Sequence, residues 1–144
     1  MTPLRVVLDS NVIISGFLFG GQPARILDRV ADGSVQCFTS LPILDEIRNV
    51  LQRPKFGLSS EQVLVMVGEL HDLCQIVRPT ISAQVVAADP DDDMVLECAV
   101  AAGANLIVSG DSHLQAIQQW NSIRILSPAE FIRQIETQKG PGEP

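Results

Sequence analysis

Short apolar runs rich in β-branched residues alternate with helix-like patterns along this whole chain, and that alternation restricts the fold more than any other feature. Leu4-Arg5-Val6-Val7-Leu8 ends at Asp9 and reads as a buried first strand. A helical turn follows at 12–15, then a glycine-punctuated loop, Gly16-Phe17-Leu18-Phe19-Gly20-Gly21. Pro23 suits the first residue of a helix running to Ala31, which Gly33 ends. Val35 to Thr39 reads as the second strand. Ser40 is placed to cap a helix from Pro42 to Leu51, which Pro54 stops. Ser60 caps the next, with Val63, Val67 and Leu70 on one face. Gln75-Ile76-Val77 is a third strand, and residues 80–90 form a connecting loop. Asp89-Pro90-Asp91 opens a helix over 92–102, with acids at the end that the helix dipole favours, and Gly103 closes it. Leu106-Ile107-Val108 is the clearest buried strand. A short helix at 113–118, a strand at 123–125 and a helix at 128–138 follow.

Strands separated by helices need crossover connections, which give a mainly parallel sheet covered by helices on both faces, an α/β/α sandwich. At 144 residues and 46% hydrophobic, the chain suffices for one core and is too short for two. The expected organisation is a single domain over 1–138 and a flexible tail over 139–144. Cys37, Cys74 and Cys98 are widely spaced with no CxxC pair, so they read as buried thiols in a reducing compartment, not as a zinc site or disulfide framework. The short apolar run before Asp9 does not make a signal peptide, and no apolar stretch is long enough to span a membrane. A cytoplasmic protein without membrane contact is expected.

In parallel sheets, ligands bind beyond the carboxyl ends of the strands. Asp9 and Asp111 both follow strands, and Glu46 lies one turn into the helix after the second strand. The Asp91-Asp92-Asp93 group opens the helix leading to the Leu106 strand; pattern alone does not place it. Carboxylates brought together repel, so they retain protons or bind a cation. Oxygen donors favour Mg²⁺ or Mn²⁺ over Zn²⁺, and such ions serve phosphodiester hydrolysis. The net charge of −7 argues against a protein that wraps duplex nucleic acid with bulk positive charge, but not against one that cuts it at an acidic metal site.

Four blocks carry a resemblance. Val-Val-Leu-Asp9-Ser-Asn11-Val-Ile-Ile-Ser, Ile43-Leu-Asp45-Glu46-Ile, Asp89-Pro-Asp-Asp-Asp93-Met-Val-Leu-Glu-Cys-Ala99 and Leu106-Ile-Val-Ser109-Gly-Asp111-Ser-His113-Leu114 together resemble PIN-domain proteins. They are most similar to the toxins of bacterial type II toxin–antitoxin systems, and they stand in family order. The resemblance implies a parallel-sheet α/β/α fold and an Mg²⁺- or Mn²⁺-dependent endoribonuclease. By position, Asp9, Glu46, Asp93 and Asp111 would be the catalytic acids and metal ligands. Asn11 and Ser109 would orient those carboxylates or a water by hydrogen bonds. It also implies an RNA substrate, a homodimer and inhibition by a cognate antitoxin with a basic or hydrophobic segment.

One departure stands out. Many relatives carry an acid two positions after the fourth, where this chain has His113. A neutral His can bind a metal or a metal-held water, or it can be an ordinary helix-start residue; either way the charge that holds a second ion falls, and one-metal catalysis is left intact. Asp92 is the alternative to Asp93 as third acid. Glu97, one turn on, is a further candidate, and Asp45 reads as an exposed neighbour of Glu46. Residues 1–58 hold six Lys/Arg against five Asp/Glu, and residues 59–144 hold four against twelve. Arg48, Arg53 and Lys55 are the candidate phosphate contacts, and Arg25 and Arg29 share another helix face. The apolar loop tip Phe17-Leu18-Phe19 either folds into the core or caps a partner interface. Two other readings compete: a catalytically silent PIN scaffold that binds RNA or a protein, and a signalling receiver domain. The latter needs a Lys at a strand end, a position that neither Lys55 nor Lys139 occupies.

Overall fold

The computed structural model describes residues 3–81 and 90–138. The elements run β1 (Leu4–Leu8), α1 (Ser10–Leu18), α2 (Gly21–Ala31), β2 (Val35–Thr39), α3 (Leu41–Leu51), α4 (Ser60–Leu73) and β3 (Cys74–Ile76). They continue with α5 (Pro90–Ala102), β4 (Leu106–Val108), α6 (Ser112–Ile117), β5 (Gln119–Trp120), β6 (Ile123–Leu126) and α7 (Pro128–Gln138). The strands form one sheet in the order β3-β2-β1-β4-β6-β5, parallel except for β5. Val6 pairs with Cys37 on one side and Leu106 on the other, so β1 is the central strand.

That centrality explains the composition of the strands. Val6, Val7, Leu8, Ile107 and Val108 are wholly inaccessible, because helices cover both faces. Each such side chain contributes about 1.5–3 kcal/mol of burial. The chain moves outward from β1 through β2 to β3, then crosses back to β4 on the other side. Right-handed crossovers therefore carry α5 to the face opposite α1 and α2. The packing agrees: α1 contacts α2 and α3, α2 contacts β2 and α7, and α5 lies on β1, β2 and β4. Small buried residues on α5, Cys98, Ala99 and Ala102, allow that close seat. Arg5 fixes its far end: the guanidinium stacks 4.4 Å over the Phe38 ring and donates to the Ala102 carbonyl.

The structure corrects several expectations. The helix α1 continues through Gly16, Phe17 and Leu18, which the sequence reads as loop. Gly16 is there for contact, since a Cβ at that position would lie 2.5 Å from Leu27 Cδ1 and 3.0 Å from the Pro23 carbonyl oxygen. The apolar tip accordingly divides: Phe17 and Leu18 pack on the core, while Phe19 is 72% exposed with its ring 6.5 Å from that of Phe56. Pro23 stands in the third position of its helix, not the first. The α4 cap is Ser59, not Ser60, in a reciprocal capping box with Gln62. Ser40 does precede α3 but its hydroxyl makes no cap; it is buried beside Cys98.

The strand β5 is absent from the sequence reading. It pairs antiparallel with β6 across a two-residue turn, Asn121-Ser122, both at positive φ. The third strand lies one residue earlier than expected. The three cysteines are free and buried as read, and Cys74 Sγ donates to Cys37 Sγ at 2.7 Å across β2 and β3. Most of the expected 80–90 loop and the 139–144 tail lie outside the described residues. Among those described, no helix is long and apolar enough to cross a membrane.

Candidate active site

The strand order reverses direction between β1 and β4, and the crevice at such a switch point is where parallel sheets bind ligands. Asp9 leaves β1 at this point and Ser109 leaves β4. The Asp9 amide still donates to the Val108 carbonyl at 2.9 Å, so the sheet's own ladder fixes its backbone. Ser109 joins the two sides. Its hydroxyl donates to Asp9 Oδ2 at 2.7 Å and accepts the Asp111 amide at 3.0 Å. Gln115 Nε2 donates to the Ser109 carbonyl at 2.7 Å, a support that sequence reading missed because a Gln inside a short helix carries no signal.

Asp9 is only 5% exposed. Burial raises the pKa of its carboxyl above the ordinary 3.8; the Ser109 hydrogen bond and the Ser10 amide oppose this, and the nearby charge of Asp111 adds to it. Asp111 is the N-cap of α6. Its Oδ1 accepts the amides of His113 at 2.7 Å and Leu114 at 3.3 Å, which leaves Oδ2 for other work.

The helix α5 brings its first turn to the same place. One ligand atom from each of Asp92, Asp111 and His113 lies within 4.8 Å of the others. Asp92 and Asp93 are both buried, but it is Asp92 whose carboxylate joins this group. Glu46, half-buried on α3, faces α5 across a groove of about 360 Å³ that Asp45, Asn49, Arg53 and Met94 also line. Glu97 is half-buried on α5, and Asn11 is exposed on the first turn of α1.

The basic candidates separate. Arg53 lines the groove beside Glu46, Arg48 is paired with Asp45 at 2.7 Å, and Lys55 lies 5.1 Å from the Phe56 ring centre. Arg25 is paired with Glu136, and Arg29 lies 3.9 Å from Asp32.

A six-stranded, mostly parallel α/β domain with acids gathered at its switch point defines a class of fold whose ligands bind at that crevice. The sequence matches the PIN domain over residues 5–113, and the chain belongs to the PIN-domain family, whose members are generally metal-dependent nucleases. Among solved structures, the PIN domain of T. brucei RRP44 superposes with a TM-score of 0.52. It is 13% identical, over 96% of this chain and 83% of that one, a likeness of fold. Comparison with curated proteins finds no match.

Proposed function

We propose that this protein is a metal-dependent endoribonuclease that hydrolyses RNA phosphodiester bonds with Mg²⁺ or Mn²⁺. The observation that carries this reading is the Ser109 bridge, which joins the Asp9 carboxylate to the Asp111 backbone at the switch point, while Asp92 and His113 converge on Asp111. The donor set fits such an ion: carboxylate oxygens predominate, and the three thiols are buried in the core. Asp9, Asp92 and Asp111 are the ligands proposed, and Glu46 lines a groove between α3 and Met94 of α5. In this reading Asp92, with a carboxylate oxygen within 4.8 Å of one on Asp111, takes the role that the resemblance implies for Asp93.

When bound, a divalent ion offsets charge on the phosphodiester and makes a water easier to deprotonate at neutral pH. The chain's own residues do the positioning. Ser109 fixes the Asp9 carboxylate, the α6 N-cap fixes Asp111, and Gln115 fixes Ser109. Arg53, in the groove with Glu46, is placed to meet a backbone phosphate.

The resemblance of the four blocks supports a further reading: a cytoplasmic, homodimeric toxin neutralised by a cognate antitoxin. An acidic protein suits a basic inhibitor segment. The test is cleavage of a mixed RNA pool in Mg²⁺, Mn²⁺ or EDTA by wild type and Asp9→Asn. Cleavage that needs the ion and is lost in the variant is expected. Equal cleavage by the variant, or cleavage in EDTA, sinks the site. RNA binding without cleavage under any condition favours the silent scaffold. Co-expression with the product of a small adjacent reading frame tests the toxin role, through relief of growth arrest.

A further inference from the structure

We propose that His113 is itself a ligand of the divalent ion and shifts the site's preference from Mg²⁺ toward Mn²⁺. This rests on the metal-dependent reading above and concerns the one residue at the site that departs from the all-oxygen set. His113 occupies the second position of α6, directly after the Asp111 cap. Its Nδ1 lies 3.5 Å from Asp111 Oδ1, within ion-pair range but longer than an ordinary hydrogen bond. That oxygen is already engaged by the amides of His113 and Leu114. The ring is therefore not held as a hydrogen-bonding partner of Asp111. It stands instead with a ring nitrogen, an Asp111 oxygen and an Asp92 oxygen mutually within 4.8 Å, a span that small side-chain rotations close around one ion.

The two sides of this group differ in access. Asp92 is 5% exposed, whereas the His113 side chain is 61% exposed, so an ion there sits between a buried carboxylate and a solvent-facing imidazole, with waters completing its shell. Mg²⁺ dehydrates reluctantly and takes oxygen ligands, so it gains little from the imidazole. First-row transition ions accept imidazole nitrogen readily, and Mn²⁺ also tolerates carboxylates and water. One nitrogen among oxygens thus favours Mn²⁺ over Mg²⁺. An acid at position 113 would remove that bias.

The experiment uses the full chain with Mn²⁺ as the probe. Electron spin echo modulation of bound Mn²⁺ reports directly coordinated ¹⁴N, and Mg²⁺ titration of the same samples reports preference. Wild type is expected to show the nitrogen coupling, and His113→Asp and His113→Ala to lack it; His71, the other histidine, remains in both variants. His113→Asp should still bind Mn²⁺ but release it at about tenfold less Mg²⁺ than wild type does, in keeping with the loss of one preferred ligand. Bound Mn²⁺ without nitrogen coupling in wild type, or an unchanged Mg²⁺ titration in His113→Asp, overturns the proposal while leaving metal dependence standing. Failure of wild type to bind Mn²⁺, together with RNA cleavage in EDTA, overturns both.

Discussion

Replacing Asp9 by Asn removes a negative charge from a position only 5% exposed, where burial is the largest influence on the carboxyl and raises its pKa. The ionised side chain therefore costs stability at neutral pH. An effective desolvation penalty of several kcal/mol per buried ion is offset in part by the 2.7 Å bond from Ser109. Asn keeps an acceptor for that hydroxyl and loses its charge assistance, roughly 1 kcal/mol. The balance favours the variant by about 1–2 kcal/mol, or about 3–6 °C in Tm for a chain of this size. The folded state holds the Asp9 proton more tightly than the unfolded chain does. Its destabilising contribution is thus absent below the ordinary carboxyl pKa of 3.8, grows as pH rises toward the raised folded value, and is complete above it. Calorimetry in EDTA at pH 7.5 should show Asp9→Asn melting higher, and the gap should narrow as pH falls. Added Mn²⁺ should reverse the order, since wild type gains about 2.7 kcal/mol at a hundred times the Kd and the variant gains less. A variant that melts at or below wild type in EDTA would refute the claim that Asp9 is held ionised at a cost.

Three other outcomes are expected. Asp92→Asn should weaken Mn²⁺ binding about 10–100-fold, while Asp93→Asn leaves it within about threefold; a titration of free Mn²⁺ by its spin resonance signal decides between them. Gly16→Ala should lower stability by about 1–3 kcal/mol despite the better helix propensity of Ala, because the new methyl meets Leu27 and the Pro23 carbonyl; urea unfolding with an unchanged m-value checks this. Burial pushes the Cys98 thiol up to about 12, and contact with Cys74 together with burial holds Cys37 well above its usual range, so neither is a thiolate at pH 8. A chromogenic disulfide should label the native protein slowly and all three thiols in denaturant, and rapid stoichiometric labelling of the native protein would count against this packing.

What the sequence conveys, and what it withholds, follows from the kind of constraint each residue meets. The strands β1, β2 and β4 and the helix α7 are legible to within a residue at each end, because their burial requires continuous apolar runs or a clean amphipathic face. Gly16 misleads because a glycine needed for helix contact looks identical to one that ends a helix. The strand β5 escapes notice because two residues and an Asn-Ser turn lack the glycine that marks such hairpins. Asp9 and Asp111 are legible as acids at strand ends. The choice between Asp92 and Asp93 is not: they lie four and three residues before Leu96, and both spacings share its helix face. The seat of α5 on the sheet, with Cys98, Ala99 and Ala102 buried beneath it, sets an Asp92 oxygen within 4.8 Å of one on Asp111.

The acids at the crevice divide their oxygens between holding the fold and facing the site. Asp9 gives Oδ2 to Ser109, and its carboxylate also takes the Ser10 amide and, on Oδ1, a 3.4 Å contact from the Ser10 hydroxyl at the limit of a hydrogen bond. Asp111 gives Oδ1 to the start of α6 and keeps Oδ2. Each carboxylate is thereby oriented by structure that forms whether or not an ion is present, so little ordering remains to be done on binding. The same arrangement explains why Ser109 matters more than its size suggests. It is wholly buried, it bonds to Asp9 and Asp111 at once, and its carbonyl is held by Gln115. Removing its hydroxyl frees Asp9 Oδ2 to rotate and strands the Asp111 amide in the same step, so the two acids lose their registration while the sheet beneath them stays intact.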